Sequence, residues 1–293
     1  MASYFRNPNF VFFGTPDFAA IILEKLISAG FVPTAVICNP DRPVGRKKII
    51  TPPPVKQLIA NDKWQIEILQ PNDLEAIRSK LKALAPDLFI VAAYAKILPK
   101  EIIDIPRRGA IGVHPSLLPK YRGPTPIQSA ILHGESQTGV TLYLLDEKVD
   151  HGSTIANRKA PIANRNYKEL DKELAEMAAD LLVRTLPKFL AGSLKPEPQN
   201  EAGATYTKKF QSVDGFVSHK DLRSAEDGGR EALIIERKIR ALNPEPGVYI
   251  LDESGRRVKL LEAELSQGRL KLKKIQEEGK KPELVAESSW GTR

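Results

Sequence analysis

Cysteine is almost missing. The 293-residue chain has one, Cys38, so no disulfide can form within it and no cysteine-rich metal site is available. Histidine stops at four and aromatic residues at 6%, so an imidazole at a special position stands out. No apolar run approaches the roughly 20 residues that span a bilayer, and the opening Met1-Ala-Ser-Tyr-Phe-Arg-Asn-Pro8 has no signal-peptide pattern. Cytoplasmic residence away from any membrane is the expectation. No G-x-G-x-x-G follows the first apolar run. Gly14-Thr-Pro-Asp17 stands there instead, so a dinucleotide site is not supported. Metal-ligand spacing and internal repeats are also missing. Acidic residues are the scarcer charge: 36 Asp and Glu against 44 Lys and Arg, a net charge of +8 and an isoelectric point near 9.4. An anionic partner fits that excess. The excess picks out no one domain, since residues 1–208 carry net +6 and residues 209–293 net +2. Local clusters have to decide.

The chain has 42% hydrophobic and 27% charged residues, ordinary for a folded protein, and a length that fits two domains. Phe10 to Phe13, Thr34 to Cys38, Ile66 to Leu69 and Leu88 to Ala93 are short apolar runs that read as strands. Between them Ile21, Ile22, Leu26 and Ile27, then Leu74, Ile77, Leu81 and Leu84, recur at helical spacing. Asp17 and Asp73 stand where N-caps belong. A long helix is expected over about 167–190. This alternation predicts a doubly wound α/β domain with a parallel sheet over residues 1–191. Residues 192–208 are polar and rich in Gly and Pro, and read as a linker. Over 209–293 a helix near Arg230 to Leu242, a hairpin turning at Ser254-Gly255 and an alternating run from Leu270 predict a small β-barrel domain.

One stretch organises the chemistry. Ala110 to Val113 reads as a buried strand, and it ends at His114 because Pro115 cannot extend it. The imidazole then stands at a strand's C-terminal end, where open α/β sheets bind ligands. A second apolar run, Val140 to Leu145, leads to Asp146-Glu-Lys-Val-Asp150. A histidine and a carboxylate at neighbouring strand ends suit proton transfer. A core histidine and a turn aspartate would give the same pattern. Upstream, the loop from Asn39 to Lys48 concentrates Arg42, Arg46, Lys47 and Lys48. It reads either as a solvated basic loop or as a phosphate-contacting one.

His114-Pro-Ser-Leu-Leu-Pro119, Arg122-Gly123, Pro126-Ile127, Thr138-Gly139-Val140 and Asp150-His151-Gly152, with 36 residues from His114 to Asp150, resemble the folate-dependent formyltransferase family. The resemblance implies a Rossmann-like domain, 10-formyltetrahydrofolate as formyl donor and no metal. It also implies a catalytic Asn, His and Asp, of which His114 and Asp150 match two. A folate pocket is implied along Ala93, Tyr94, Ile97 and Leu98, along Ser116, Leu117, Leu118 and Pro119, and at Asp146. The basic loop resembles the insertion by which methionyl-tRNA formyltransferases grip an acceptor stem. Ala204-Thr-Tyr-Thr207, Ile239 to Pro244 and the strands that follow resemble the oligonucleotide-binding-like C-terminal domain of those enzymes. Initiator methionyl-tRNA is thereby implied as formyl acceptor, with Arg42, Arg46, Lys47, Lys48, Arg256, Arg257, Lys271 and Lys273 on its backbone, and a monomer is expected. Side chains alternate along a strand, so only part of the C-terminal set can face one partner.

The departure is at Gly112, where the family has its Asn. Losing one oxyanion donor typically costs about 10²–10³ in rate. A water, a backbone N–H or another side chain such as Gln128 would have to replace the amide. Otherwise the chain is an impaired homologue that binds folate or tRNA, and Gly112→Asn is expected to raise its activity. An amino-sugar-nucleotide N-formyltransferase is the other enzymatic reading, with the basic loop and the C-terminal domain against it.

Overall fold

The structure, a computed structural model, describes residues 8–45, 47–62 and 64–285. In chain order the elements are β1 (Phe10–Gly14), α1 (Asp17–Ser28), β2 (Ala35–Ile37), β3 (Arg42–Val44), β4 (Ile49–Thr51), α2 (Pro54–Asn61), β5 (Glu67–Leu69), α3 (Arg78–Ala83), β6 (Leu88–Ala92), α4 (Lys100–Ile103), β7 (Ala110–His114), α5 (Pro126–His133), β8 (Gln137–Leu144), β9 (Thr154–Pro161), α6 (Tyr167–Leu190), α7 (His219–Asp227), α8 (Arg230–Leu242), β10 (Tyr249–Leu251), β11 (Arg257–Ser266), β12 (Arg269–Glu277) and β13 (Glu283–Leu284). They fall into two compact units. The first comprises the chain up to Pro124 with Thr138–Pro161 and Asp171–Tyr206. The second comprises Thr125–Gln137, Ile162–Leu170 and the chain from Thr207 on.

The first unit is an α/β unit around a seven-stranded sheet ordered β5-β2-β1-β6-β7-β8-β9. The pairs β5–β2, β2–β1, β1–β6 and β6–β7 are parallel, and β7–β8 is antiparallel. Strands β1, β2 and β7 are buried at every residue, as uninterrupted apolar runs require when both faces of a sheet are covered. From β1 the chain steps outward to β5, then returns to β6 on the other side of β1 and steps outward the opposite way. That reversal puts a switch point at the C-terminal ends of β1 and β6. Beneath it Phe13 meets the Phe89 ring edge-on at 4.9 Å and the Tyr94 ring at 5.4 Å, a preferred aromatic geometry. Asp17 opens α1 as its first residue. Pro16 holds the cap position, so Asp17 complements the helix dipole rather than capping it. The expected basic loop is a ribbon, with β3 and β4 paired antiparallel from Arg42↔Thr51 to Val44↔Ile49. Pro43 is tolerated because a two-stranded ribbon has open edges.

Residues 192–206 lie along this first unit. Thr154 and Glu197 exchange backbone hydrogen bonds at 2.8 Å, and Arg122 donates its backbone N–H to Thr205 at 2.9 Å.

In the second unit a four-stranded antiparallel sheet, β10-β11-β12-β13, is accompanied by α7 and α8. Helix α5 belongs here too and packs on α8. No described helix is long and apolar enough to cross a membrane.

Candidate active site

His114 ends β7 with its side chain buried. Its Nε2 bonds the Tyr121 carbonyl at 2.8 Å. A carbonyl only accepts, so this nitrogen is the donor and carries a proton. Nδ1 remains, and it faces Asp150 Oδ2 at 3.5 Å. A second proton on the ring therefore arrives between imidazole and carboxylate.

Asp150 reaches that place by a route the apolar runs do not suggest. Strand β8 is antiparallel to β7, with Thr141 opposite His114 and Leu144 opposite Ile111. The end of β8 thus points away from His114, and the expected pair of adjacent strand ends does not form. Instead the loop after β8 folds back, with Asp150 in left-handed backbone at φ 49°, a region Asp enters more readily than most residues. Both carboxylate oxygens are held. The Tyr143 hydroxyl donates to Oδ1 at 2.6 Å and the Gly123 N–H donates to Oδ2 at 2.7 Å. Gln199 fixes the main chain, donating to the carbonyls of Asp150 at 3.0 Å and Gly152 at 2.8 Å. Its own amide oxygen accepts from Arg122 at 2.8 and 3.1 Å. Arg122 is fully buried, pairs with Glu201 at 2.6 Å and donates to the Tyr206 hydroxyl at 2.9 Å. The Glu201 hydrogen bond pushes the guanidinium above its ordinary pKa and holds the Glu201 carboxyl below its own.

Gly112 is filled from outside. A Cβ there would lie 2.4 and 2.5 Å from Tyr143 Cε1 and Cζ and 2.6 Å from Leu145 Cδ1. The tyrosine ring occupies the place in which an asparagine side chain would begin. A side chain at Gly112 would have to displace the Tyr143 ring and Leu145, so Gly112→Asn is not an open repair. Gln128, the other candidate replacement, lies in α5, which belongs to the second unit.

The remaining candidates divide. Ala92 pairs with Val113, so the segment from Ala93 leaves the sheet beside His114. Ala93 and Ala95 take φ 47° and 63°, strained values for alanine of the kind that cluster at ligand-binding loops. Tyr94 and Leu98 are buried in the core, while Ile97 is 76% exposed. Burial pushes the Tyr94 phenol up to about 12, with Cys38 adding to it. The Ser116–Pro119 loop is pinned to β8. Leu118 N–H donates to Thr141 Oγ1 at 3.1 Å, and that hydroxyl donates to the Ser116 carbonyl at 2.7 Å. Ser116 Oγ donates to the Lys120 carbonyl at 2.6 Å, so it shapes the loop. The Leu117 side chain sits where a Cβ on Gly139 would be, 2.6 Å from it. Asp146 accepts from His151 Nδ1 at 2.6 Å and lines a groove of about 300 Å³ with Lys100, Ile103, Asp104, Leu145 and Lys148.

Arg42, Lys47 and Lys48 are exposed in or beside the ribbon, together with the apolar Val44, Ile49 and Ile50. Arg46 lies outside the described residues. In the second unit Arg257 and Lys259 point to solvent on β11, as do Lys271 and Lys273 on β12, while Val258, Leu260, Leu270 and Leu272 point inward. Carboxylates answer much of this charge. Arg256 pairs with Asp252 at 3.0 Å and Lys273 with Glu264 at 2.7 Å, and Arg257 stacks 4.3 Å from the centroid of the Tyr249 ring.

A family model described as formyl transferase matches residues 8–186. A methionyl-tRNA formyltransferase from Halorhodospira halophila is 44% identical over 242 residues, 82% of this chain and 74% of the relative. This chain belongs to the methionyl-tRNA formyltransferase family. Its fold is also that of a 4-N formyltransferase from Francisella tularensis, at TM-score 0.67 and 18% identity over 89% of this chain and all of the other. The methionyl-tRNA formyltransferase from Clostridium thermocellum matches at TM-score 0.59 and 17% identity, over 92% of this chain and 98% of the other. For a member of the methionyl-tRNA formyltransferase family, sequence reasoning missed Tyr143 and Gln199. Neither has a motif of its own. The cross-strand register identifies the first, and the course of residues 192–206 identifies the second.

Proposed function

We propose that this protein transfers the formyl group of 10-formyltetrahydrofolate to the amino group of methionyl-tRNA. The observation that carries the chemistry is His114 with Nε2 tied to a carbonyl and Nδ1 turned toward Asp150. The neutral amine attacks the formyl carbon, and the carbonyl electron pair moves onto oxygen. His114 Nδ1 takes the proton lost by the amine, and the imidazolium so formed is paired by Asp150 while its positive charge offsets that of the oxyanion. Collapse restores the C=O bond and breaks the bond to the folate nitrogen. That nitrogen leaves with the proton from Nδ1, and the ring returns to its starting state.

The pterin edge has donors and acceptors. The segment 93–98, the backbone of 116–119 and the Asp146 carboxylate supply complementary groups. Among the described residues, the buried Asn39 Oδ1 and Tyr94 hydroxyl have no hydrogen-bond partner, in keeping with a polar ligand near the switch point. Arg42, Lys47 and Lys48 on the ribbon and Arg257, Lys271 and Lys273 on the second unit contact phosphates. The test is a direct assay: purified protein, methionyl-tRNA and 10-formyltetrahydrofolate yield formyl-methionyl-tRNA. No product with methionyl-tRNA, while an amino-sugar nucleotide is formylated under the same conditions, would reassign the acceptor.

A further inference from the structure

The antiparallel pairing sets Gly112 directly opposite Tyr143. Gly112 and His114 are two apart on β7, as are Tyr143 and Thr141 on β8, so all four share one face of the sheet. On that face the tyrosine ring lies across the bare glycine, an arrangement in which an aromatic covers the backbone that a glycine exposes. Lying there, it extends its hydroxyl to Asp150 Oδ1, the oxygen that faces neither His114 nor Gly123. Tyr143 is 6% exposed. Burial, and then the charge of Asp150, pushes its pKa well above the ordinary phenol, so the hydroxyl acts only as a donor to the carboxylate.

We propose that Tyr143 is a positioning residue for formyl transfer, matched to Gly112: the glycine makes room for the ring, and the ring's hydroxyl fixes the rotation of the Asp150 carboxylate that sets its other oxygen against His114 Nδ1. Asp150 sits on a loop in left-handed backbone. A carboxylate there, held at one oxygen only, turns about its own axis, and half of the site then loses its aim. Hydrogen bonds at both oxygens, from Tyr143 and Gly123, remove that freedom, and Gln199 holds the main-chain carbonyl of the same residue. The pairing explains why glycine at 112 is compatible with an ordered site. A Cβ at that position drives the ring off the strand, and the hydrogen bond to Asp150 goes with it.

The inference rests on the formyl-transfer reading, and steady-state kinetics with thermal melts separate the two. Tyr143→Phe keeps the ring over Gly112 and deletes only the hydroxyl. It is expected to melt within about 3 °C of wild type, with kcat at least roughly tenfold lower and KM for both substrates within about twofold, since the hydroxyl acts on the reacting groups and not on binding. Gly112→Asn is expected to lose activity and to melt lower. The double variant Gly112→Asn/Tyr143→Ala removes the ring from the collision, leaving only the end of the Leu145 side chain to shift, and is expected to melt above Gly112→Asn. A Tyr143→Phe enzyme with kcat within twofold of wild type overturns the proposal. So does one whose melting temperature collapses in step with its activity, which would make Tyr143 a packing residue, and so does a Gly112→Asn enzyme that matches wild type in both measurements. A wild-type protein that forms no formyl-methionyl-tRNA overturns the functional reading and this inference together. Failure of Tyr143→Phe alone leaves the functional reading in place.

Discussion

His114 is tied at one nitrogen and poised at the other, and two substitutions separate proton handling from folding. His114→Ala removes the proton carrier. Asp150→Asn keeps the shape but turns one of its two acceptor oxygens into an N–H₂ group, which then opposes either the Gly123 N–H or the Tyr143 hydroxyl. Each is expected to lower kcat by at least about 10²-fold with little change in far-UV circular dichroism. A folded variant that retains near-normal turnover would remove that residue from the mechanism. Arg122 acts through Gln199. Its guanidinium reaches Gln199, Glu201 and Tyr206 at once, and an ammonium cannot reproduce that planar fork. Arg122→Lys is expected to cost about 2 kcal/mol of stability, read as a lower urea midpoint. The kcat should fall as well, since Gln199 no longer holds the Asp150 loop.

At the scale of elements, the β3–β4 ribbon couples basic side chains to exposed apolar ones, and it is anchored where Asp41 accepts from Lys56 at 2.9 Å and from Gln70 at 2.8 Å. Replacing Arg42, Lys47 and Lys48 together is expected to weaken tRNA binding and to flatten the plot of log affinity against log salt by roughly 0.7–0.9 for each phosphate no longer neutralised. Folate binding should stay the same. The same substitutions on β11 and β12 should do less per residue, because carboxylates such as Glu264 already answer those cations. An unchanged salt slope for the ribbon variant would make it a solvated face. Helix α6 carries a second testable charge. Burial, and then the neighbouring Asp17, raises the Asp171 pKa from 3.8 to about 6. A carboxyl raised in the folded state binds its proton more tightly there than in the unfolded chain. The contribution of this group to stability is therefore highest below about pH 4 and declines as pH rises toward 6. Asp171→Asn is expected to stabilise the protein at pH 7.5 by about 1 kcal/mol, less than the full shift implies because the group is partly exposed. The gain should vanish near pH 4, and a gain independent of pH would place its cause elsewhere.

Across the whole molecule, the boundary that composition suggests is not a clean cut. Helix α5 lies early in the sequence, yet it packs on α8, and Arg237 closes over Gly134 at its end. A fragment ending at residue 208 strips that partner from α5. It is expected to melt at least roughly 5 °C below the full chain and to bind a hydrophobic dye that the full chain does not. A fragment as stable as the whole would show that α5 needs no cover.

Much was legible in the chain itself. Pro115 fixed the end of β7 at His114, because a residue without an N–H cannot extend a ladder. The apolar runs located β1, β6 and β7, and helices α6 and α8 were expected at the limits now seen. The motifs around His114 and Asp150 pointed to the family. Other features were silent for physical reasons. Helix α7 is short and mostly polar, buries only Leu222 and Ala225, and opens on a Ser218 cap, so it offers few apolar residues to read. The β3–β4 ribbon is punctuated by Pro43 and Gly45 and reads as a loop. Most consequential is the strand direction. An apolar run is the same string whether it lies parallel or antiparallel, so the sequence alone carried the residues of the site and not their route to it. Only the antiparallel register of β7 and β8 put Tyr143 over Gly112, turning a missing side chain into a filled position. Neighbours across a sheet are set by pairing between segments, here 31 positions apart, and no local property of either segment encodes it.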